Sequence, residues 1–285
     1  MCEFVYQGLG GWAAVFQRQR RVPGFRFGRP LLLRYLRGLS ILMWKKRQSP
    51  APADFFQTGF HEVEGWVHER MRDVLELIAE VHERLSVRGC HVEIGVHHGR
   101  FFIPCHNVMQ LGEPSIAIDI FEDQHQNIDR SGNGNQETFS ENVKKYCHRP
   151  SEVHAIKMNS LQLDGATLVE MAGKFGSARL FSIDGSHTVD NTFHDIKTAM
   201  AMIEYAGVIF VDDYYSPHWP GVHEAVGLHF AFGRPKVAPF LVGFNKMMLT
   251  TVDAHHVFYE AAREKFSADP SFKEVTMYGH QVVAI

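Results

Sequence analysis

The sequence predicts a doubly wound α/β protein built on a mostly parallel sheet. Three observations carry this expectation: short apolar runs of strand character recur between longer stretches with helical spacing, the first run ends in a glycine turn that opens a helix, and aspartates stand where later runs end. Strands that alternate with helices in this way need a parallel sheet covered on both faces. In such sheets a ligand lies beyond the carboxyl ends of the strands, where glycine admits close approach and a helix N-terminus offers free N–H groups.

The chain has 285 residues, of which 45% are hydrophobic and 21% charged, enough for one large globular domain with an extension. The four cysteines, Cys2, Cys90, Cys105 and Cys147, form no C-x-x-C pair and no metal spacing, which points to a reduced, cytoplasmic setting. Eighteen histidines are scattered along the chain and read chiefly as surface or core residues. The net charge of −3 hides an asymmetry, because residues 1–50 carry ten Lys/Arg against the single acid Glu3. Within that arm, residues 30–47 are apolar but include Arg34 and Arg37, too short and too charged to span a membrane. No signal peptide is evident. A helix packed on the catalytic domain or a partner subunit is the favoured reading of the arm, ahead of a helix on a membrane surface or a contact for an anionic ligand. The arm lacks interleaved aromatic and basic residues and the remaining chain is acidic, which argues against nucleic acid. The Pro/Ala-rich stretch 48–53 reads as a linker, dividing the chain into an extension, 1–53, and an α/β domain, 54–285.

Elements follow in order. Val67, Met71, Val74, Ile78, Val81 and Leu85 recur at steps of four and three, predicting a covering helix over 65–87 that Gly89 ends. A strand over 90–95 and a helix over 101–111 flank the turn, with Pro104 tolerated in the helix's first turn. Further strands are expected at 115–121, 152–158, 178–184 and 207–212, with helices at 138–147, 166–175 and 188–205, the last turning Phe193, Ile196, Met200 and Ile203 inward. Stretches 239–244 and 246–252 read as an antiparallel pair, completing a Rossmann-like, seven-stranded sheet; a helix at 255–266 and a last strand at 274–285 follow. The segment 122–136, rich in Gly, Asn and Asp, leaves a strand's carboxyl end and reads as a mobile lid or a plain loop.

The acids raise this above a fold class. A carboxylate at the end of the second strand, Asp119, suits the vicinal hydroxyls of a ribose, with loop capping as the alternative. Asp184, Asp212 and Asp213, on neighbouring strand ends, would repel unless a hard divalent cation or protons neutralise them, and oxygen ligands suit Mg²⁺, Mn²⁺ or Ca²⁺. Capping of helices by one or two of them is the alternative. A dinucleotide fingerprint would place glycine at position 97, which is His97, so a nicotinamide or flavin cofactor is disfavoured. The pairs His97–His98 and His255–His256 lack ligand spacing and read as surface or turn residues. No Gly-x-Ser-x-Gly elbow or Walker lysine loop is present, and Lys246 could approach the cleft or face solvent.

Four blocks, Val-Glu-Ile-Gly-Val-x-x-Gly (92–99), Ala-Ile-Asp (117–119), Ser-Ile-Asp-Gly-Ser-His (182–187) and Val-Ile-Phe-Val-Asp-Asp-Tyr (208–214), resemble class I S-adenosylmethionine-dependent methyltransferases. With Trp-Pro-Gly-Val (219–222) they look most like the branch of metal-dependent O-methyltransferases acting on antibiotic sugars and phenols. The resemblance covers roughly residues 65–250. It implies that Glu93, Gly95 and Gly99 shape the methionine side of the cofactor pocket, Asp119 holds the ribose, Asn159 and Ser160 lie near the adenine, and Asp184 borders the cofactor. It further implies a divalent metal, Mg²⁺ first, on Asp184, Asp212 and Asp213, and methyl transfer to a hydroxyl of a small secondary-metabolite acceptor. Where some relatives carry an acid two positions after the first metal aspartate, this chain has Ser186 and then His187, which becomes the expected base, with His218 as the second candidate. A Rossmann-like enzyme with another nucleotide cofactor, and a non-catalytic cofactor-binding module with a partner-docking arm, are the competing expectations. An apolar arm also makes self-association an expectation.

Overall fold

The computed structural model describes residues 53–285 apart from Arg234; the expected arm helix at 30–47 and the linker before residue 53 lie outside the described residues. A short helix α1 (Ala53–Thr58) and the covering helix α2 (Met71–Leu85) precede strand β1 (Cys90–Ile94). There follow α3 (Phe102–Asn107), β2 (Ser115–Asp119), α4 (Gln136–Tyr146), β3 (Val153–Lys157), α5 (Gly165–Phe175), β4 (Ala178–Ile183), α6 (Val189–Met202) and β5 (Ile203–Val211). The C-terminal part comprises α7 (Pro220–Phe232), β6 (Val237–Gly243), β7 (Lys246–Thr251), α8 (His255–Phe266), β8 (Lys273–Met277) and β9 (His280–Ala284).

The strands form one sheet in the order β3-β2-β1-β4-β5-β7-β6-β9-β8. The first five are mutually parallel, and β7 runs antiparallel to both β5 and β6. Alternation of side chains along each strand produces two cores. On β5, Val208 and Phe210 face α2, α3 and α8, whereas Ile209 and Val211 face the layer of α5, α6 and α7. The sheet is therefore doubly wound, with the expected antiparallel pair, but among the described residues it has nine strands rather than seven.

Other departures from expectation have local causes. The last strand is broken by a tight turn in which Tyr278 and Gly279 both take positive φ, and β8 and β9 pair antiparallel across it. Helix α6 stops at Met202, because Ile203–Tyr205, which continue the apolar spacing, already belong to β5. Its inward face carries Ile196, Ala199 and Met202 with Asn191, Thr192 and Asp195, while Phe193 and Met200 are only half-buried. Helix α2 starts at Met71 and ends at Ser86 in the left-handed region. Gly89 serves another purpose, since a Cβ there would stand 2.4 Å from the Ser177 carbonyl at the entry to β4. Helix α7 escaped notice in the sequence because it is apolar around most of its circumference.

Strand ends are levelled by a ladder of backbone bonds. Gly95 N–H donates to Ile118 O (2.8 Å), Asp184 N–H to Ile94 O (2.9 Å) and Asp212 N–H to Ile183 O (3.0 Å). Gly95, at φ +82°, permits this: a Cβ would lie 1.8 Å from the Asp184 carbonyl oxygen. The turn after β1 is thereby pressed against the end of β4, and the acids of β2, β4 and β5 open onto one edge.

Candidate active site

At that edge lies a cavity of about 980 Å³, at the upper end of the range for small-molecule pockets and roomy enough for a nucleoside-sized cofactor beside a second small molecule. One side is walled by Gly95, His97, Asp119, Met158, Asn159 and Ser160. The other is walled by Asp184, His187, Asp212, Asp213, His218 and Trp219, with Trp66, His68 and Phe244 at the margin. Of the residues expected from sequence, only Glu93 and Gly99 do not line it. Glu93 is 2% exposed beneath the turn, and Gly99 packs on the ring of Phe139.

On the first side, the Asp119 carboxylate accepts one backbone N–H on each oxygen, from His97 (2.8 Å) and Phe121 (2.6 Å). Burial nevertheless holds its pKa above the ordinary aspartate value, against those two bonds. Each oxygen keeps a lone pair for a ligand hydroxyl. His97 takes φ +49°, a conformation that aims its N–H at Asp119, so this residue is part of the cavity wall rather than a plain surface histidine.

On the second side, Asp212 and Asp213 are held by different side-chain partners, whereas Asp184 lies among other acids. Lys246, 1% exposed on β7, forms an ion pair with Asp212 and sits 4.4 Å from the ring centroid of Phe101. Burial disfavours its charge, but Asp212, Asp184 and Glu93 outweigh that and raise its pKa. Lys246 thus turns inward onto Asp212, behind the cavity lining and away from solvent. Asp213, at φ +55°, accepts from Asn245 Nδ2 (2.7 Å) and pairs with His187 Nε2 at 3.0 Å. These donors hold its pKa down although burial would raise it. Asp184 is pushed well above the aspartate range, first by burial and then by the negative charge of Asp212.

His187 is the hub. Its Nδ1 lies 2.8 Å from Asp129 Oδ2, which also accepts the His187 backbone N–H at 2.6 Å, and its ring stacks on Trp219 at 4.4 Å between centroids. Burial opposes a charge on this ring, but the two aspartates prevail and raise its pKa to about 9. In this arrangement the imidazole carries a proton on each nitrogen near neutral pH. It is an ion-pair partner here rather than a free base. His218 is exposed at the cavity wall.

Asp129 was not picked out from the sequence. It belongs to the expected lid, 122–136, which contains a single 3₁₀ turn (Gln124–Gln126). Ser131 donates both N–H (2.9 Å) and Oγ–H (2.7 Å) to Asp129 Oδ1, and Asn127 Nδ2 donates to Ser131 O (2.6 Å). Gln124, Gln126, Asn127, Ser131, Gly132 and Gly134 line the cavity, so the segment roofs it. A Cβ at Gly134 would come 3.2 Å from Asp119 Oδ1, which shows how closely the roof lies on the Asp119 side. The donor set of the second side also fits a divalent cation: Asp184, His187 and Asp213 each offer a ligand atom within 4.8 Å of the others.

Residues 92–214 match the family model described as a methyltransferase domain, in line with the resemblance to class I S-adenosylmethionine-dependent methyltransferases read from the sequence. Among solved structures it is similar to the O-methyltransferase NovP, at 17% identity and a TM-score of 0.51 over 62% of this chain and 78% of that one. Two others are an O-methyltransferase from Bacillus cereus in complex with SAH (12% identity, TM-score 0.47, 71% of this chain and 90% of that one) and the methyltransferase MycE from mycinamycin biosynthesis in complex with Mg and SAH (13% identity, TM-score 0.47, 72% of this chain and 55% of that one). No curated protein sequence matches the chain. Among the described residues, no helix is long and apolar enough to cross a membrane.

Proposed function

We propose that the chain transfers the methyl group of S-adenosylmethionine to a hydroxyl of a small polar acceptor, such as a sugar or another secondary-metabolite unit, with assistance from a divalent metal. The observation that carries this reading is the continuity of the cavity. Gly95, Asp119, Asn159 and Ser160 on one wall suit a nucleoside cofactor, and the acids of β4 and β5 face the same space, where an acceptor hydroxyl would meet the sulfonium methyl.

In this reading Asp119 receives the ribose hydroxyls, and Asn159 and Ser160 border the base. The turn at Gly95 lets backbone approach the methionine portion, while buried Glu93 supports that turn from beneath. Asp184, His187 and Asp213 would hold a divalent ion, whose Lewis acidity would lower the pKa of the acceptor hydroxyl. The chain's own residues do the rest. The roof at 122–135 excludes water from the transfer, Asp213 and His187 fix the acceptor side, and Trp219 packs that imidazole in place. Because both nitrogens of His187 are already engaged, His218 is the group in this reading that takes the hydroxyl proton.

The test is a transfer assay with methyl-labelled S-adenosylmethionine, Mn²⁺ or Mg²⁺, and a panel of vicinal diols, deoxysugar glycosides and catechols. Label should appear on a diol-bearing acceptor, with demethylated cofactor released in equal amount. Label on amine acceptors alone, or none on any acceptor despite cofactor binding, contradicts hydroxyl methylation.

A further inference from the structure

The three acids expected to share a metal are not equivalent. Asp212 is already neutralised by Lys246, a buried ammonium on a neighbouring strand. An ion joining Asp212 would sit beside that fixed positive charge, at a Coulomb cost that a low-dielectric site magnifies. His187 instead turns into the space left over. Its Nε2 stands 3.0 Å from Asp213 Oδ2 and 3.9 Å from Asp184 Oδ1. Neighbouring ligands of an ion bound at about 2.1 Å lie roughly 3 Å apart, so these three atoms need to shift by less than an ångström or so to close around one.

A further feature lies on the far side of the ring. Metal-bound histidines almost always donate their other ring N–H to a carboxylate or carbonyl, which fixes the tautomer and the ring's direction. Asp129 Oδ2, 2.8 Å from Nδ1, occupies that position. Its side chain and that of His187 are only 7% and 9% exposed, and Ser131 locks the same carboxylate from its other oxygen. Nδ1 is committed to Asp129, so Nε2 is the nitrogen left to meet an ion. In the metal-free chain it carries a proton and Asp213 takes the ion's place as partner.

We infer that the metal site of this protein is Asp184–His187–Asp213, with Asp129 as the orienting carboxylate, and that its imidazole makes it a site for a first-row transition ion such as Mn²⁺, Fe²⁺ or Co²⁺ in preference to Mg²⁺. Carboxylate and water suit Mg²⁺, whereas an imidazole ligand shifts preference toward ions of borderline softness. This rests on the reading above that the cavity takes a divalent ion, and it departs from the all-aspartate set expected from the sequence. Lys246 is what separates the two: Asp212 stays in contact with Asp184, but its charge is already met by the Lys246 ammonium.

The experiment uses full-length, metal-stripped protein loaded with demethylated cofactor. Mn²⁺ is added and the ion's surroundings are read by pulsed electron paramagnetic resonance, with Co²⁺ and Mg²⁺ affinities measured by calorimetry. The expected result is nitrogen modulation from a directly bound imidazole, lost in His187→Gln, and Co²⁺ favoured over Mg²⁺ on the order of a hundredfold or more. Asp129→Asn should weaken Mn²⁺ by about 10- to 100-fold while the nitrogen signal persists, as expected when an orienting partner is removed. The double variant Asp212→Asn/Lys246→Met, which removes the pair without leaving a lone buried charge, should change Mn²⁺ affinity no more than a few-fold. Absence of nitrogen modulation, equal Mg²⁺ and Co²⁺ affinity, failure to bind any of the three ions, or a defect in the Asp212→Asn/Lys246→Met double variant as deep as that of Asp184→Asn would each overturn the assignment. Should His187→Gln not fold, Asp129→Asn and the wild-type spectrum decide alone. Demethylated-cofactor binding measured on the same samples keeps the two readings apart: an imidazole-bound Mn²⁺ without cofactor binding removes the methyltransferase reading and leaves the metal site standing.

Discussion

The two walls of the cavity are built by different means. The wall proposed for the cofactor is made of strand ends and turns, and its polar groups are satisfied by nearby backbone: Asp119 by His97 and Phe121, and Asn159 by Leu161. The acid wall is assembled from side chains far apart in sequence. Lys246 on β7 reaches Asp212, Asn245 reaches Asp213, and Asp129 in the roof reaches His187 across 58 positions. Backbone geometry fixes the first wall and paired charges fix the second. Substitutions should therefore damage the cofactor wall through shape and the acid wall through charge.

The largest effect is expected where the walls meet. Gly95→Ala puts a methyl group against the Asp184 carbonyl at a positive φ, so β1 and β4 must separate. It should cost upwards of about 3 kcal/mol in denaturant unfolding and abolish cofactor and metal binding together. Lys246→Met comes next. Leaving Asp212 buried without its partner should destabilise the fold by about 3–5 kcal/mol, recoverable in part when the double variant with Asp212→Asn is made. A loss as large in the double variant as in the single one would mean that packing, not the ion pair, is what Lys246 provides.

Asp119→Ala should separate the walls. Cofactor affinity falls by at least about tenfold through two lost hydroxyl bonds, each on the order of 1 kcal/mol, while Mn²⁺ binding persists, both measured by calorimetry. A pH effect follows from His187. Its pKa is raised from 6.5 to about 9 in the folded chain, so its contribution to stability is fully present below about 6.5 and is lost as pH rises through 9. The melting temperature of the metal-free protein should fall across that window, and His187→Gln should flatten the fall. The smallest effect belongs to the rim. Trp66 is 72% exposed, so Trp66→Ala should change stability by less than about 0.5 kcal/mol while altering the Michaelis constant for the acceptor.

The same contrast explains what was legible in the sequence. Periodicity revealed the alternating strands and helices, and the glycine turn with the aspartates at strand ends located the cavity, because these signals lie within a few residues of the structure they encode. Helix α7 was missed for lack of a polar face. The break between β8 and β9 was missed because tyrosine is an uncommon first turn residue. In the site, Asp119 and Asp184 could be placed from their strands alone. Asp129 could not, since an aspartate in a Gly/Asn-rich loop carries no sign of the histidine it will face. Lys246 was seen but not placed, because register alone decides whether a strand lysine points to the cleft. It is the side chain that makes Asp212 and Asp213 differ.

The central claim, that one cavity holds S-adenosylmethionine beside an acid-lined acceptor site, is tested most directly by calorimetric titration of metal-stripped protein with S-adenosylmethionine and its demethylated product, repeated on Asp119→Ala. The account predicts binding of both forms to the wild type at a one-to-one ratio, and marked weakening of both in the variant. Binding of neither form to the folded wild type, or equal binding to wild type and variant, would contradict it.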